Sequence, residues 1–267
     1  MIPLTTGTAP GHYHLTVTKP LCVGPPDTMF MFGGMGLASA LAAVESHTGR
    51  PTVWAAAQYL SYARPGTDLD LEVIVPVAGK QTSQARVITR AGAQEIITVN
   101  AALGSRPGHP QQQWAQMPDV PPPADCPEMR IRWVRDPDDL NSHFDRRVAH
   151  GHFGADRGTA PASPDGVGRL WVRPSDTSQP IDRLALAVMA DFLPSGVGNA
   201  LGAHAGGNSL DNTIRYMNIV PTDWVLADMR IHAVNEGFAH GRVHLFAQDG
   251  TLMATASQSM IVRIFAG

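Results

Sequence analysis

The chain has 267 residues, 43% of them hydrophobic and 16% charged, with a formal net charge of −3. Such a length buries one large or two medium cores, and the mildly acidic balance lacks the basic face that nucleic-acid binding requires. Two cysteines, Cys22 and Cys126, exclude a disulfide framework and a paired-cysteine metal or redox motif.

From the N-terminus, MIPLTTGTAPGHYH has neither the charged nor the apolar segment of a signal peptide, and no run of about 18 apolar residues follows. A cytoplasmic protein without membrane association is expected. In Gly36–Ser46, Leu37, Ala40, Leu41 and Val44 recur at helical spacing, which predicts a helix. Gly33-Gly34 precedes it and Gly49-Arg50-Pro51 stops it. Strands are predicted over Val53–Ala63, Asp70–Val77, Thr82–Thr89 and Gln94–Leu103, separated by glycine-containing turns. Residues 104–127 (GSRPGHPQQQWAQMPDVPPPADCP) are aperiodic and rich in Pro and Gln, so they read as a linker. The chain thus divides into 1–105, a linker over 106–127, and 128–267. A second loop-like stretch covers 154–168. A helix is then predicted over Arg183–Leu193, followed by strands Leu210–Asn218, Trp224–Val234, Phe238–Phe246 and Leu252–Ile264.

Both units therefore run helix, then four strands. QYLSYARPGTDLDLEVIV (58–75) overlays NTIRYMNIVPTDWVLADM (212–229), and QARVITRAG (84–92) overlays HGRVHLFAQDG (240–250). The expected architecture is an α+β unit made twice: a long helix wrapped by a bent antiparallel sheet, the two sheets covering each other's edges. No G-x-S-x-G, H-E-x-x-H, Walker loop or strict G-x-G-x-x-G is present. His143, His150 and His152 read as loop histidines rather than a metal site. Met29-Phe30-Met31-Phe32 reads as core.

Phe32-Gly33-Gly34 entering a small-residue helix, Arg64-Pro65-Gly66 after a strand, SLDNTIRYMNIVPTDWVL (209–226) and the final GFAHGRVHLFAQDGTLMATASQSMIVR (237–263) resemble the thioesterase II family of acyl-CoA thioesterases. The resemblance covers most of the chain. It implies a double hotdog fold, two fused hotdog domains, and hydrolysis of acyl-CoA thioesters in fatty-acyl metabolism without a cofactor or metal. It also implies an Asp, a Ser or Thr, and a Gln that position a water. Asp211 and Gln258 match the first and last; the middle position falls near His232, where the sequence departs from the family.

Thioester hydrolysis needs a proton acceptor for water and donors for the carbonyl oxygen. Asp211, Gln258 and His232 are the candidate catalytic residues. The backbone at Gly33 and Gly34, with no Cβ in the way, is the candidate substrate contact. In the repeat overlay Asp211 falls on Ala57 and Gln258 on Ala102 or Leu103, which leaves one polar pair per chain. The blander readings are that Asp211 caps a turn, that Gln258 is a solvated strand residue, and that His232 shares a solvated face with Asp228 and Arg230. The partner expected is an acyl-CoA substrate, and the chain is expected to form a homo-oligomer. Two other functions are open: a non-catalytic acyl-binding hotdog protein, and a hotdog enoyl-CoA hydratase, whose Gly-Asp-x-Asn-Pro motif is absent.

Overall fold

The computed structural model describes residues 2–131, 135–156, 158 and 160–265. The loop-like stretch 154–168 includes positions 157 and 159, which lie outside the described residues. Helix α1 spans Gly33–Thr48. Leu37, Ala40, Leu41 and Val44 are fully buried, but so are Ala38 and Ala43 on its other sides. The helix is enclosed all round, which explains why small residues fill it. The buried Ser39 hydroxyl is satisfied within the helix by donating to the Met35 carbonyl at 2.8 Å. Gly49 ends the helix with a left-handed φ of +65°, a conformation that glycine adopts without strain.

Among the described residues the main sheet has thirteen strands: β1 (Thr5–Thr6), β2 (His12–Thr16), β3 (Thr52–Tyr59), β4 (Asp68–Ala78), β5 (Thr82–Ala91), β6 (Gln94–Gly104), β7 (Phe144–His150), β8 (Val167–Pro174), β9 (Ala205–Ser209), β10 (Asp211–Tyr216), β11 (Val225–Asn235), β12 (Phe238–Ala247) and β13 (Leu252–Ile264). Their order is β1-β2-β4-β5-β6-β3-β10-β13-β12-β11-β8-β7, with β9 also pairing β13. The order reads the same from either end, each strand replaced by its counterpart in the other half. The repeat seen in the sequence is therefore a repeat in space. The halves join where β3 pairs antiparallel with β10, Gln58 opposite Asp211 and Trp54 opposite Arg215. No sheet edge is left open at that junction. The expected α+β double hotdog is the fold observed.

The second helix is shorter than expected. Helix α2 spans Arg183–Ala190, with the Asp182 carboxylate accepting the Ala185 N–H at 2.9 Å. The chain then turns through Leu193–Ser195 into α3, Gly196–Leu201. Pro194, which has no N–H to continue a helix ladder, follows the break. The window Arg183–Leu201 is long and apolar enough to cross a membrane, with mean hydropathy 1.4, yet 67% of it is buried inside the protein, which accounts for its apolarity. Strands β1, β2, β7, β8 and β9 carry no clear sequence signal. The first four extend the two outer ends of the sheet, while β9 lies along β13.

Between β6 and β7 the chain forms a strap rather than a free spacer. The Trp171 indole N–H donates to Pro121 O at 2.9 Å, and the Leu252 N–H donates to Gln113 Oε1 at 2.7 Å. Met117 and Val120 cover a second small core of Cys126, Trp171, Trp224, Leu226, Phe246 and Leu252.

Candidate active site

Where α2 breaks, Asp191 is carried into the core beneath the start of α1. Three donors converge on its carboxylate. Gln258 Nε2–H donates to Oδ1 at 2.6 Å, the Ser209 hydroxyl to Oδ1 at 3.0 Å, and the Gly34 backbone N–H to Oδ2 at 2.6 Å. The Ser209 hydroxyl also lies 3.4 Å from Gln258 Oε1. Asp191 and Gln258 are each only 3% exposed. The site thus draws on the end of α2, β9, β13 and the first turn of α1.

Burial pushes the Asp191 pKa up to about 6, against the three hydrogen bonds, which favour the ionised form. A carboxylate in that range is ionised at neutral pH yet basic enough to accept a proton from water. It sits at the negative end of α2 and the positive end of α1, so the Gly34 N–H offsets part of the helix-end repulsion.

The two glycines are required by close approach. A Cβ on Gly33 would lie 2.7 Å from Asp191 Oδ2 and 3.0 Å from Tyr59 Cζ; one on Gly34 would lie 2.9 Å from both Asp191 Cβ and Val188 Cα. In the first turn of α1, the Met35 and Gly36 N–H groups share the Phe32 carbonyl and Gly34 binds Asp191. The Gly33 N–H has no protein acceptor among the described residues. It is an orphan donor of the kind every helix N-terminus carries.

Two more groups face the same place. The Tyr59 hydroxyl oxygen and both polar atoms of the Asn212 side chain are buried, with no partner among the described residues beyond each other. Leaving such a group unpaired costs about 1–3 kcal/mol. Burial, then the nearby Asp191 charge, holds the Tyr59 phenol well above its ordinary pKa, while the neighbouring Asn212 amide acts the other way.

The structure places the residues expected from the sequence as follows. Gln258, Gly33 and Gly34 come together, with Asp191 between them. Asp211 does not join them. It lies opposite the exposed Gln58, one residue out of phase with the fully buried Asn212, so strand alternation turns it to the outer face. There its carboxylate accepts the Ser259 N–H at 2.7 Å. His232 is exposed on β11, beside the register shift between Ile231 and Ala233. The carboxylate bound to Gln258 is Asp191, inside the stretch read as helix, and the hydroxyl that meets both is that of Ser209, two residues before Asp211. A carboxylate within the apolar run RLALAVMADFL was the available signal for the first. Among the described residues no group of three or more His, Cys, Asp or Glu is placed to hold a metal ion.

A family model for the acyl-CoA thioesterase C-terminal domain matches residues 117–262. A crystal structure assigned as a thioesterase from Novosphingobium aromaticivorans is 36% identical, with 97% of each chain covered and a TM-score of 0.86. The chain belongs to the thioesterase II-like family. This thioesterase also shares its fold with a protein from Thermobifida fusca assigned as thioesterase II (17% identity, 97% of this chain and 96% of that one, TM-score 0.82). An acyl-CoA thioesterase II from Mycobacterium marinum is likewise similar (20% identity, 100% and 98%, TM-score 0.76). No match to a curated protein sequence was found.

Proposed function

We propose that the thioesterase hydrolyses acyl-CoA thioesters, with Asp191 as the base that activates water and Gln258 and Ser209 as the groups that orient it. The observation that carries this reading is the buried carboxylate held by Gln258, Ser209 and Gly34 at the head of α1. Water donates a proton toward Asp191 as its oxygen bonds to the carbonyl carbon. The carbonyl oxygen takes the electron pair and is held by the Gly33 N–H. When the C–S bond breaks, the thiolate leaves and the proton on Asp191 returns to it, giving free acid and thiol.

Ser209 supports the catalytic reading over a non-catalytic acyl-binding protein. Its hydroxyl donates to Asp191 and lies 3.4 Å from Gln258 Oε1, although it is not the family's hydroxyl position, which falls near His232. The test is steady-state hydrolysis of straight-chain acyl-CoA substrates from short to long chain, compared between the wild type and Asp191→Asn. A wild type inactive on all of them sinks the proposal.

A homo-oligomer and a cytoplasmic setting also belong to this proposal. Light scattering at micromolar concentration checks the first, and a monomer there counts against it. Fractionation of the source cells checks the second.

A further inference from the structure

Beyond the groups that hold Asp191, the interior of the site contains a buried polar pair that nothing but its own two members satisfies. Asn212 is fully buried, its amide lies beside the buried Tyr59 hydroxyl and close enough to favour the phenolate by hydrogen bonding, and neither group has any other partner among the described residues. Native cores pair such atoms almost without exception, and unpaired ones call for an explanation. The sheet shows why these two meet. Asn212 faces Ala57 across the junction of the halves. Tyr59, two residues on, shares the face of Ala57. Gln258 follows one step beyond the Thr213–Ser257 pair, on the same face as Asn212. Tyr59, Asn212 and Gln258 thus stand on three adjacent strands and look toward the start of α1.

Tyr59 is also positioned from the helix side. Its Cζ, the atom that carries the hydroxyl, would be 3.0 Å from a Cβ on Gly33, so the phenol lies against the one first-turn residue whose N–H is uncommitted. Its O–H stays protonated throughout the working pH range, because burial and the Asp191 charge both oppose ionisation. The phenol therefore lies against Gly33 on the side of Asp191, and the Asn212 amide lies beside the hydroxyl.

Resting on the thioesterase reading, we propose that Tyr59 Oη–H and Asn212 Nδ2–H are donors to the thioester carbonyl oxygen, completing with the Gly33 N–H the cradle in which the oxyanion forms. When water adds to the carbonyl carbon, the C=O electron pair moves onto this oxygen. The three donors meet the charge there. The pair returns to re-form C=O as the C–S bond breaks and the thiolate leaves. No proton passes through Tyr59. Donors fixed before the reaction are worth most in a dry site, since they need no reorganisation as charge develops.

The experiment is steady-state hydrolysis of a medium-chain acyl-CoA by the wild type, Tyr59→Phe and Asn212→Leu, with a thermal melt of each. Tyr59→Phe keeps the ring on Gly33 and removes only the oxygen, and Asn212→Leu keeps the volume. Loss of one oxyanion donor costs about 100- to 1,000-fold in kcat. Each variant is therefore expected to lose roughly that much kcat while its melting temperature falls by no more than the loss of one buried hydrogen bond would cause. The pH–rate inflection near 6, which belongs to Asp191, stays in place in Tyr59→Phe while the plateau falls. Wild-type kcat in Tyr59→Phe, or loss of the folded state in both variants at the assay temperature accounting for the lost activity, overturns the proposal. An inactive wild type overturns the thioesterase reading along with it. An active wild type with a fully active Tyr59→Phe removes only the donor assignment.

Discussion

Gln258 and Asp191 stand 67 residues apart in the chain, and the Gln258 amide donates to the Asp191 carboxylate at 2.6 Å in a buried setting. That contact ties the end of the second helix to β13, and with Gly34 on the other oxygen it fixes the carboxylate between two helix ends. Asp191→Asn is expected to lower kcat by about 100- to 10,000-fold, the usual worth of a general base. The same change should leave stability at pH 8 equal to the wild type or above it. Asparagine can keep its oxygen on the Gly34 N–H and meet a flipped Gln258 amide with its nitrogen, while the cost of a buried charge disappears. A melting curve and an initial-rate assay check both halves.

The raised pKa of Asp191 also sets two pH profiles. Water activation needs the ionised form, so kcat/KM should rise with pH through about 6 and then level. Stability should run the other way. Between the unfolded value of 3.8 and about 6, the folded chain holds a proton that the unfolded chain has lost, so this group's contribution to stability falls as pH rises through that window. The drop is on the order of 3 kcal/mol, about two pKa steps at 1.36 kcal/mol each. Asp191→Asn should remove that slope, which urea melts at pH 4, 5, 6 and 7 would reveal.

Ser209 and Gln258 touch each other as well as Asp191, so their contributions to the water should not add. Gln258→Ala and Ser209→Ala are each expected to cost about 10- to 100-fold in kcat, and the double variant little more than the worse single one. Each change removes one donor from Asp191 and should raise the pH–rate inflection above about 6. An unmoved inflection in both variants would show that the profile belongs to another group.

Gly34→Ala is expected to lose both stability and activity. The new methyl would stand 2.9 Å from Val188 Cα, a backbone atom that cannot swing aside. The first turn of α1 must shift, and the 2.6 Å bond to Asp191 lengthens with it. Overpacking of this kind costs about 1–3 kcal/mol, readable as a lower urea midpoint. Gly92→Ala makes a useful contrast. Nothing lies within 4 Å of a Cβ there, so any cost comes from its φ of +59° alone, and kcat should be untouched.

The sequence carried the repeat, because hydrophobic period and turn residues are local, and both halves use them in the same order. Gln258 and the glycine pair, which the sequence also singled out, meet at Asp191 in the fold. Asp191 was hidden for a physical reason. It lies on an apolar helical run whose period absorbs it, and its meeting with Gly34 where α2 breaks is a contact across 157 residues. Ser209 was hidden by its strand. Ala205–Ser209 (AGGNS) has no alternation and pairs only because β13 is long enough to take both β9 and β10. Asp211, the carboxylate that the sequence favoured, is one residue out of phase with the inner face.

That phase difference gives the last prediction. Asp211→Asn keeps an oxygen that can accept the Ser259 N–H, so the 2.7 Å bond survives without the charge. The side chain makes none of the hydrogen bonds around Asp191, and so kcat should change less than about twofold, with the melting temperature nearly unchanged. Asp211→Ala removes the acceptor and should cost about 1 kcal/mol in stability, the usual worth of such a bond, with little loss of kcat. His232→Ala, on an exposed position of β11, should be silent in both assays. The three variants measured beside Asp191→Asn separate the two carboxylates by role. A loss of 100-fold or more in Asp211→Asn, with Asp191→Asn active, would move the base to the outer face of β10 and overturn the site described above.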